Sequence, residues 1–248
     1  MNPLDLSAAQ NRWSSHPAAE KLVLYGGLLL CAMVLPPRTA APLVLLAVVI
    51  STLVLARVRP RLFVLALIGP AVFIALGSVP IAVGLRGGPH LEPGGLDLAV
   101  DTSLRAIAAS SATIGLAVTT LMADLLDLAR RAGVPAPLCH VADLTYRLVG
   151  ILIRSARAAR ESVALRLGLQ TPRDAISVIG AQSALIFVRA TERGRAMSEA
   201  MSLRAEPGMT AVLTADRAVR PARIAASITV LIVIAATSIL TWRAWNGG

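Results

Sequence analysis

Charge is scarce in this chain of 248 residues: Asp, Glu, Lys and Arg together make up 15% of it, whereas soluble domains carry about 25%. Because 56% of the residues are hydrophobic and the mean hydropathy is +0.70, an ordinary soluble domain is excluded. Aromatic residues reach only 3%, and the ten-residue alternation typical of membrane barrel strands does not occur. The sequence therefore predicts an all-α integral membrane protein, since helices satisfy their own backbone hydrogen bonds in lipid.

Lysine and cysteine are nearly absent. Lys21 is the only lysine, so a Gly-x-x-x-x-Gly-Lys phosphate loop cannot be written anywhere in the chain. The two cysteines, Cys31 and Cys139, lie in unlike regions, and a disulfide between them is not expected. The net charge of +10 does not indicate nucleic acid, because the basic residues are not interleaved with aromatic ones. It fits the cytoplasmic charge of a membrane protein.

Residues that bind metals or catalyse reactions are also sparse. His16, His90 and His140 are far apart and are predicted on different sides of the membrane, so they do not suggest a shared metal site. His140 and Asp143 are close enough in sequence to touch one cation, but a polar pair at a helix start is the simpler interpretation. No Ser-His-Asp or Cys-His signature appears. We therefore expect no catalytic residue, no metal site and no cofactor.

Five apolar stretches are predicted to span the membrane. They cover residues 22–35, 42–56, 62–85, 104–122 and 224–242. The first two are shorter than the roughly 20 residues of a perpendicular span and should form a hairpin around Pro36-Pro37. The third is interrupted by Gly69-Pro70 and by Pro80, which favours a kink or close packing. The fourth is rich in Ser, Thr, Ala and Gly, as expected of a face packed against other helices.

The basic residues indicate how these spans are oriented. With a cytoplasmic N-terminus, only Arg38, Arg86 and Arg243 lie outside, and Arg105 lies at the outer membrane edge. This asymmetry follows the positive-inside rule. The region 86–101, rich in Gly and Pro, is predicted to be an exposed outer loop. The predicted parts are an N-terminal arm (1–21), a four-helix membrane region (22–122), a cytoplasmic module (123–223) and a final span with a short tail (224–248).

The cytoplasmic module is predicted to contain two long amphipathic helices. Apolar residues recur at helical spacing in 138–167, namely Val141, Leu144, Leu148, Ile151 and Leu152, and in 175–205, namely Ile186, Ala190, Met197 and Met201. Asp143 and Arg147 are spaced to pair on the first helix. Each helix finishes on an arginine beside small residues, Arg166 and Arg204. Such ends suit docking to acidic groups of a partner, with a solvated surface or anionic lipid as the alternatives.

The whole chain resembles the transmembrane T component of energy-coupling-factor (ECF) importers, and most closely the cobalt-uptake branch of CbiQ type. The resemblance is carried by these segments: His16-Pro17-Ala18-Ala19-Glu20-Lys21, Thr119-Thr120 with Leu125-Leu126, Arg131-Ala132-Gly133-Val134-Pro135, Tyr146-Arg147, and Arg189-Ala190-Thr191-Glu192-Arg193 through Ala200-Met201-Ser202-Leu203-Arg204-Ala205-Glu206-Pro207-Gly208. The last falls in register with the second of two arginine motifs of that family. It reads Leu203-Arg204-Ala205 where Ala-Arg-Gly is usual, which puts the fine geometry of that contact in doubt.

The resemblance implies a function for the chain as a non-catalytic subunit of an ABC-type importer in the bacterial cytoplasmic membrane. It would pass movement from two cytoplasmic ABC-type ATPase subunits to a separate substrate-binding membrane subunit, the S subunit, with cobalt as cargo. The positions that would contact the ATPases are Arg166, Gly168, Arg204 and Ala205. The supporting positions on the coupling helices are Leu165, Leu203, Met197 and Met201.

Three other functions compete with this interpretation. A T component could serve an S subunit for a vitamin or another micronutrient, because specificity would reside in that subunit. A stand-alone secondary transporter should carry ionisable residues at mid-membrane, and the predicted spans contain almost none. A membrane-embedded enzyme would need a cluster of His, Asp or Glu at the cytoplasmic boundary. The only residues that come near this are Asp124, Asp127, His140 and Asp143.

Overall fold

The computed structural model describes residues 11–84, 90–91, 94–165, 172–203 and 220–246. After a short 3₁₀ helix, Arg12–Ser15, the helices are α1 (Ala18–Val34), α2 (Pro37–Val49), α3 (Pro60–Ala82), α4 (Gly95–Thr119), α5 (Met122–Arg131), α6 (Ala136–Leu165), α7 (Pro172–Leu203) and α8 (Pro221–Asn246). Two strands of two residues each, β1 (Val83–Gly84) and β2 (His90–Leu91), pair antiparallel. The predicted all-α class is confirmed, with this pair as a small addition.

The hairpin predicted around the two prolines is present. Pro37 is the first residue of α2, a position where the missing N–H of proline costs no hydrogen bond. α2 continues into a π-helical segment, Ile50–Leu55. Two residues beyond the end of this segment, Arg57 has a left-handed φ of 54°, and Val58 donates its N–H back to the carbonyl of Thr52 at 3.1 Å. The positive φ lets the chain turn sharply before α3 begins.

α4 lies at the centre of the membrane helices, in contact with α1, α2 and α3, while α8 packs on α1 and α2. Its buried positions are mostly small: Gly95, Ala99, Ala108, Ser111, Ala112, Gly115, Val118 and Thr119. Small residues let helix backbones approach closely. At Gly115 a Cβ would lie 2.6 Å from Cε1 of Tyr25, so the ring of α1 occupies the space above this glycine. The packing face predicted from composition is therefore confirmed.

The start of α4 corrects the predicted boundary. The sequence suggested a loop up to residue 101, but the helix begins at Gly95, after Gly94 with a left-handed φ of 84°. Asp97 and Asp101, which lay within the predicted loop, both pair with Arg38 of α2, and the Nε of Arg38 lies 2.7 Å from Asp101 Oδ1. A carboxylate in the first turn also suits the positive end of the helix dipole.

α3 runs through Pro70 and Pro80 as one helix. The predicted interruption at these prolines is therefore wrong, in that neither proline ends the helix. Within α3 only Phe63 is buried. Its outward face is apolar and exposed, for example at Leu65, Ile68 and Phe73. An apolar face without a protein neighbour suits contact with lipid, because lipid tails are as apolar as leucine.

Length and composition identify the segments that could cross a membrane. Within the described residues they are 37–55, 60–82, 136–163 and 221–244, and α4 with α5 would add a fifth if the bent pair counts as one span. α1 has 17 residues, fewer than the roughly 20 of a perpendicular span. The segment 136–163 belongs to α6, where the sequence predicted no clear span. It is the least apolar of the four.

The described residues form two compact units. Residues 126–165 and 172–203 belong to one, called here the helix-pair unit, which contains most of α5 and all of α6 and α7. The remaining described residues belong to the other, called here the bundle unit. Its core includes Tyr25 and Leu28 of α1, Val44 and Val48 of α2, and Ile234 of α8.

Candidate functional site

α6 is amphipathic as its sequence predicts. Its half-buried stripe contains Leu144, Leu148, Ile151 and Leu152, which recur at intervals of one helical turn. The arginines at 147, 154, 157 and 160 are all exposed. Val141, expected on the apolar stripe, is 59% exposed, so the first turns of α6 present an apolar side chain outward.

α7 contacts α6 and shows the same division. Its half-buried side chains are Val178, Gln182, Ile186, Ala190 and Met197, and the other side chains described on α7 are exposed. The predicted stripe is thus confirmed at Ile186, Ala190 and Met197, while the side chain of Met201 lies outside the described ones. Gln182 Nε2 is buried without a hydrogen-bond partner among the described residues, so this one atom of the stripe is shielded from solvent.

The two helices end next to the predicted docking residues. α6 ends at Leu165 and α7 at Leu203, and each of these leucines is 85% exposed. Arg166, Gly168, Arg204 and Ala205 themselves lie outside the described residues. The structure therefore places the neighbours of both arginine motifs at exposed helix ends, and the roles of the arginines stay predictions.

Charged residues of the helix-pair unit are engaged locally. Arg147 Nε lies 2.9 Å from Asp143 Oδ2, which confirms the predicted pair, and Arg131 Nε lies 2.9 Å from Asp127 Oδ2. Because Asp143 is engaged by arginine, the alternative of a His140–Asp143 cation site gains no support. In the part of the chain that the structure describes, no group of three or more His, Cys, Asp or Glu is placed to hold a metal ion.

A second polar cluster lies where α1 begins, and we call Asn11, His16, Glu20 and Lys21 the N-terminal cluster. Glu20 and Lys21 are only 5% and 2% exposed. Lys21 Nζ donates to the carbonyl of Thr119, at the end of α4, over 2.9 Å. Glu20 Oε1 accepts the backbone N–H of Arg220, just before α8, over 2.9 Å. Both buried charges therefore bind main-chain groups, as buried charges need to.

His16 adds a neutral contact to this cluster. Arg223 Nη1 lies 2.8 Å from His16 Nδ1, and because arginine only donates, the imidazole must accept and be uncharged. Burial, followed by the nearby positive charge of Arg223, lowers the pKa of His16, and Glu20 opposes this. Glu20 Oε2 lies 3.6 Å from both His16 Nδ1 and Arg223 Nη1.

The arm before α1 extends the same network. Asn11 Nδ2 donates to the carbonyl of Val118 at 3.2 Å and lies 3.4 Å from that of Thr119. The backbone N–H of Arg12 donates to the carbonyl of Ala56 at 3.1 Å. Sequence reasoning noticed the hexapeptide from His16 to Lys21 but assigned it no contacts. The sequence did contain a signal for these contacts, because a lone lysine next to a glutamate at the start of an apolar run is unusual.

Long apolar helices packed through small residues define the class of this molecule as a multi-pass α-helical membrane protein. A sequence model of the family described as "CbiQ: Cobalt transport protein" matches residues 10–208. The chain therefore belongs to the CbiQ family, as the resemblance predicted.

Three relatives show how far the similarity extends. A protein named "Cobalt transport protein CbiQ" from Rhodobacter capsulatus is 34% identical over 96% of this chain and 98% of its own length. One of the same name from Salmonella typhimurium is 25% identical over 84% and 98%. A "Putative fused cobalt transport protein CbiMQ" from Methanocorpusculum labreanum is 25% identical over 75% of this chain and 33% of its own.

Proposed function

We propose that this chain is the T component of an ECF-type importer for cobalt ions. The observation that carries the proposal is the pair of amphipathic helices, α6 and α7, each of which ends in an exposed leucine directly before an arginine. Membership in a family described as cobalt transport proteins supports cobalt as the cargo. Cobalt is then the substrate of the complex and not a resident cofactor of this chain.

In this proposal Arg166 and Arg204 dock into two cytoplasmic ABC-type ATPase subunits. Guanidinium groups bind carboxylates with two parallel hydrogen bonds, and the small residues Gly168 and Ala205 leave room for a partner to approach. Leu165, Leu203, Met197 and Met201 provide apolar contact around the arginines. In this proposal the ATPases hydrolyse ATP and this chain does not, since its only lysine, Lys21, does not belong to a Gly-x-x-x-x-Gly-Lys phosphate loop.

A separate S subunit in the membrane would bind the ion. The relative from Methanocorpusculum labreanum supports a second component, because it is named as a fusion and this chain spans only a third of it. The complex would lie in the bacterial cytoplasmic membrane with the N-terminus of this chain in the cytoplasm, which the distribution of arginine favours.

The test is charge reversal at the two helix ends. Arg166→Glu and Arg204→Glu should each reduce copurification with the ATPases and ATP-dependent cobalt uptake, because a carboxylate repels the acidic groups that an arginine binds. Arg157→Glu and Arg195→Glu are the matched controls, since both arginines are exposed on the same helices away from the ends. Normal assembly and uptake in both reversed variants would disprove the coupling role.

The cargo is tested separately from the coupling. Uptake of labelled cobalt by the complete complex should exceed that of vitamins and other micronutrients offered at the same concentration. If the complex assembles through Arg166 and Arg204 but accumulates a vitamin and no cobalt, the T-component assignment holds and the cobalt assignment is wrong. Ion uptake by the chain alone would instead favour a stand-alone secondary transporter.

A further inference from the structure

The N-terminal cluster binds the main chain of the bundle unit at the end of α4 and just before α8, near the two boundaries of that unit in the sequence. α4 ends at Thr119, after which the chain continues through α5 into the helix-pair unit, and Arg220 directly precedes α8. Lys21 binds the main chain at the first point, and Glu20 binds it at the second. Two adjacent residues of α1 therefore hold both ends of the segment 120–219.

The charges of these two residues match the helix ends that they bind. The C-terminal end of a helix carries partial negative charge on its free carbonyls, and the N-terminal end carries partial positive charge on its free N–H groups. The ammonium of Lys21 lies at the C-terminal end of α4, and the carboxylate of Glu20 lies at the N-terminal end of α8. Successive residues of a helix point about 100° apart, so neighbouring side chains of α1 can reach two different helices.

Further contacts make each attachment more than a single hydrogen bond. At the end of α4, Asn11 Nδ2 donates to Val118 and lies close to the Thr119 carbonyl. At the start of α8, Arg223 reaches both His16 and Glu20. All of these groups belong to the bundle unit. Several contacts therefore act together at each attachment, while Asn11 Oδ1 and Glu20 Oε2 are buried without a hydrogen-bond partner among the described residues.

We propose that the N-terminal cluster is the fixed joint of the transport machinery, in which Glu20 and Lys21 act as positioning residues. This inference rests on the proposed function. When both ends of 120–219 are held against α1, a displacement of α6 and α7 is passed to the bundle and is not absorbed by movement of the α4 end or the α8 start. Without the joint, ATP hydrolysis continues but moves less cargo.

The first test compares transport with hydrolysis in the same vesicles. The full chain is reconstituted with its ATPases and S subunit, and labelled cobalt uptake and phosphate release are measured together for Glu20→Gln and Lys21→Met. We expect the ratio of cobalt to phosphate to fall about fivefold or more, the lower end of ordinary coupling between sites. Asp97→Asn is the control, because it removes a charge at the opposite, exposed end of α4, and it should leave the ratio unchanged.

The ratio distinguishes coupling from simple loss of folded protein. A variant that merely folds poorly lowers uptake and hydrolysis together and leaves their ratio as in the wild type, and that result overturns the proposal. Arg223→Gln is a third variant for the case in which Glu20→Gln or Lys21→Met does not fold. The Arg223 side chain is 40% exposed, so replacing it should disturb folding less than replacing a buried residue. This variant should lower the ratio in the same direction.

The second test uses the full chain without partners. Hydrogen exchange in detergent should become about tenfold faster at 112–119 in Lys21→Met and at 221–228 in Glu20→Gln, because each variant frees one helix end. Unchanged exchange in both segments overturns the joint. If exchange responds as expected while the wild-type chain assembles with no ATPase, the joint stands as a structural feature and the proposed function fails.

Discussion

At Gly115 a single hydrogen atom in place of a side chain decides how closely α1 and α4 pack. A Cβ there would lie 2.6 Å from Tyr25 Cε1 and 3.2 Å from Thr52 Cγ2. Tyr25 and Thr52 are both fully buried, so neither has free space to move into. Gly77 of α3 is the contrasting case, because nothing lies within 4 Å of its added Cβ.

Gly115→Ala should therefore destabilise the chain by about 1–3 kcal/mol, the usual cost of overpacking. Gly77→Ala, the matched control, should leave stability unchanged or raise it, since alanine favours a helix over glycine. Thermal unfolding of both variants in the same detergent measures the difference. Equal melting temperatures for the two would show that Tyr25 moves aside without cost.

The lowered pKa of His16 predicts how the stability of the folded chain depends on pH. Its pKa is lowered in the folded chain by burial and by Arg223, so the unfolded chain binds a proton more readily. The contribution of His16 is then fully present above its unfolded pKa of about 6.5 and decreases as pH falls below that value toward the lowered one. Lys21 also disfavours the charged imidazole, whereas Glu20 favours it.

The measurement is the unfolding of wild type and His16→Gln between about pH 7.5 and about pH 5.5. The wild type should lose stability on acidification, and the variant should lose less, because glutamine does not titrate. Trp13 stacks on His16 with ring centroids 5.8 Å apart, so tryptophan fluorescence offers a local readout. Parallel pH profiles for the two proteins would contradict the assignment.

At the scale of elements, apolar periodicity was enough to predict most helices. The five apolar stretches correspond to α1, α2 with its π-helical segment, α3, α4 and α8, and the two amphipathic helices correspond to α6 and α7. The start of α4 was missed because the region 86–101 was assigned to a loop from its Gly and Pro content. The pairing of Asp97 and Asp101 with Arg38, about sixty positions earlier, was not apparent from the sequence. A contact between distant segments leaves no periodic signal.

The ends of α6 and α7 give a prediction about these elements. Leu165→Ala and Leu203→Ala should change the melting temperature of the isolated chain little, because both leucines are 85% exposed. They should nevertheless weaken copurification with the ATPases if the proposed docking is correct, since an apolar contact buried on binding is lost. Leu148→Ala is the converse control, because Leu148 is half-buried on α6 and its truncation should lower stability first.

At the scale of the whole molecule, sequence reasoning found the two helices of the candidate site but not the contacts of the N-terminal cluster. The stripe of α7 follows from the spacing of Ile186, Ala190 and Met197 alone. The partners of Lys21 and Glu20, by contrast, lie 98 and 200 positions further along the chain, and no local pattern links such distant groups. The hexapeptide from His16 to Lys21 was recognised as a feature of the family, but its sequence did not indicate which residues it contacts.

Membrane orientation is the prediction that belongs to this scale. With the N-terminus in the cytoplasm, a cysteine at Arg59 should face the cytoplasm and one at Leu96 the outside, and both positions are exposed. In a background without Cys31 and Cys139, a membrane-impermeant maleimide should label Leu96→Cys in intact cells and Arg59→Cys only after permeabilisation. The reverse labelling would invert the topology and move the helix-pair unit to the other side.

The burial of Lys21 also has a practical chemical consequence. It carries the only side-chain amine of the chain and is 2% exposed, so reagents that acylate amines find no accessible lysine side chain on the folded protein. Lysine-to-lysine crosslinks to this subunit are therefore not expected within an assembled complex, and an amine crosslink to it would have to form at the α-amine. For the same reason, the rate at which Lys21 is acylated reports a single event, the opening of the contact between α1 and the end of α4.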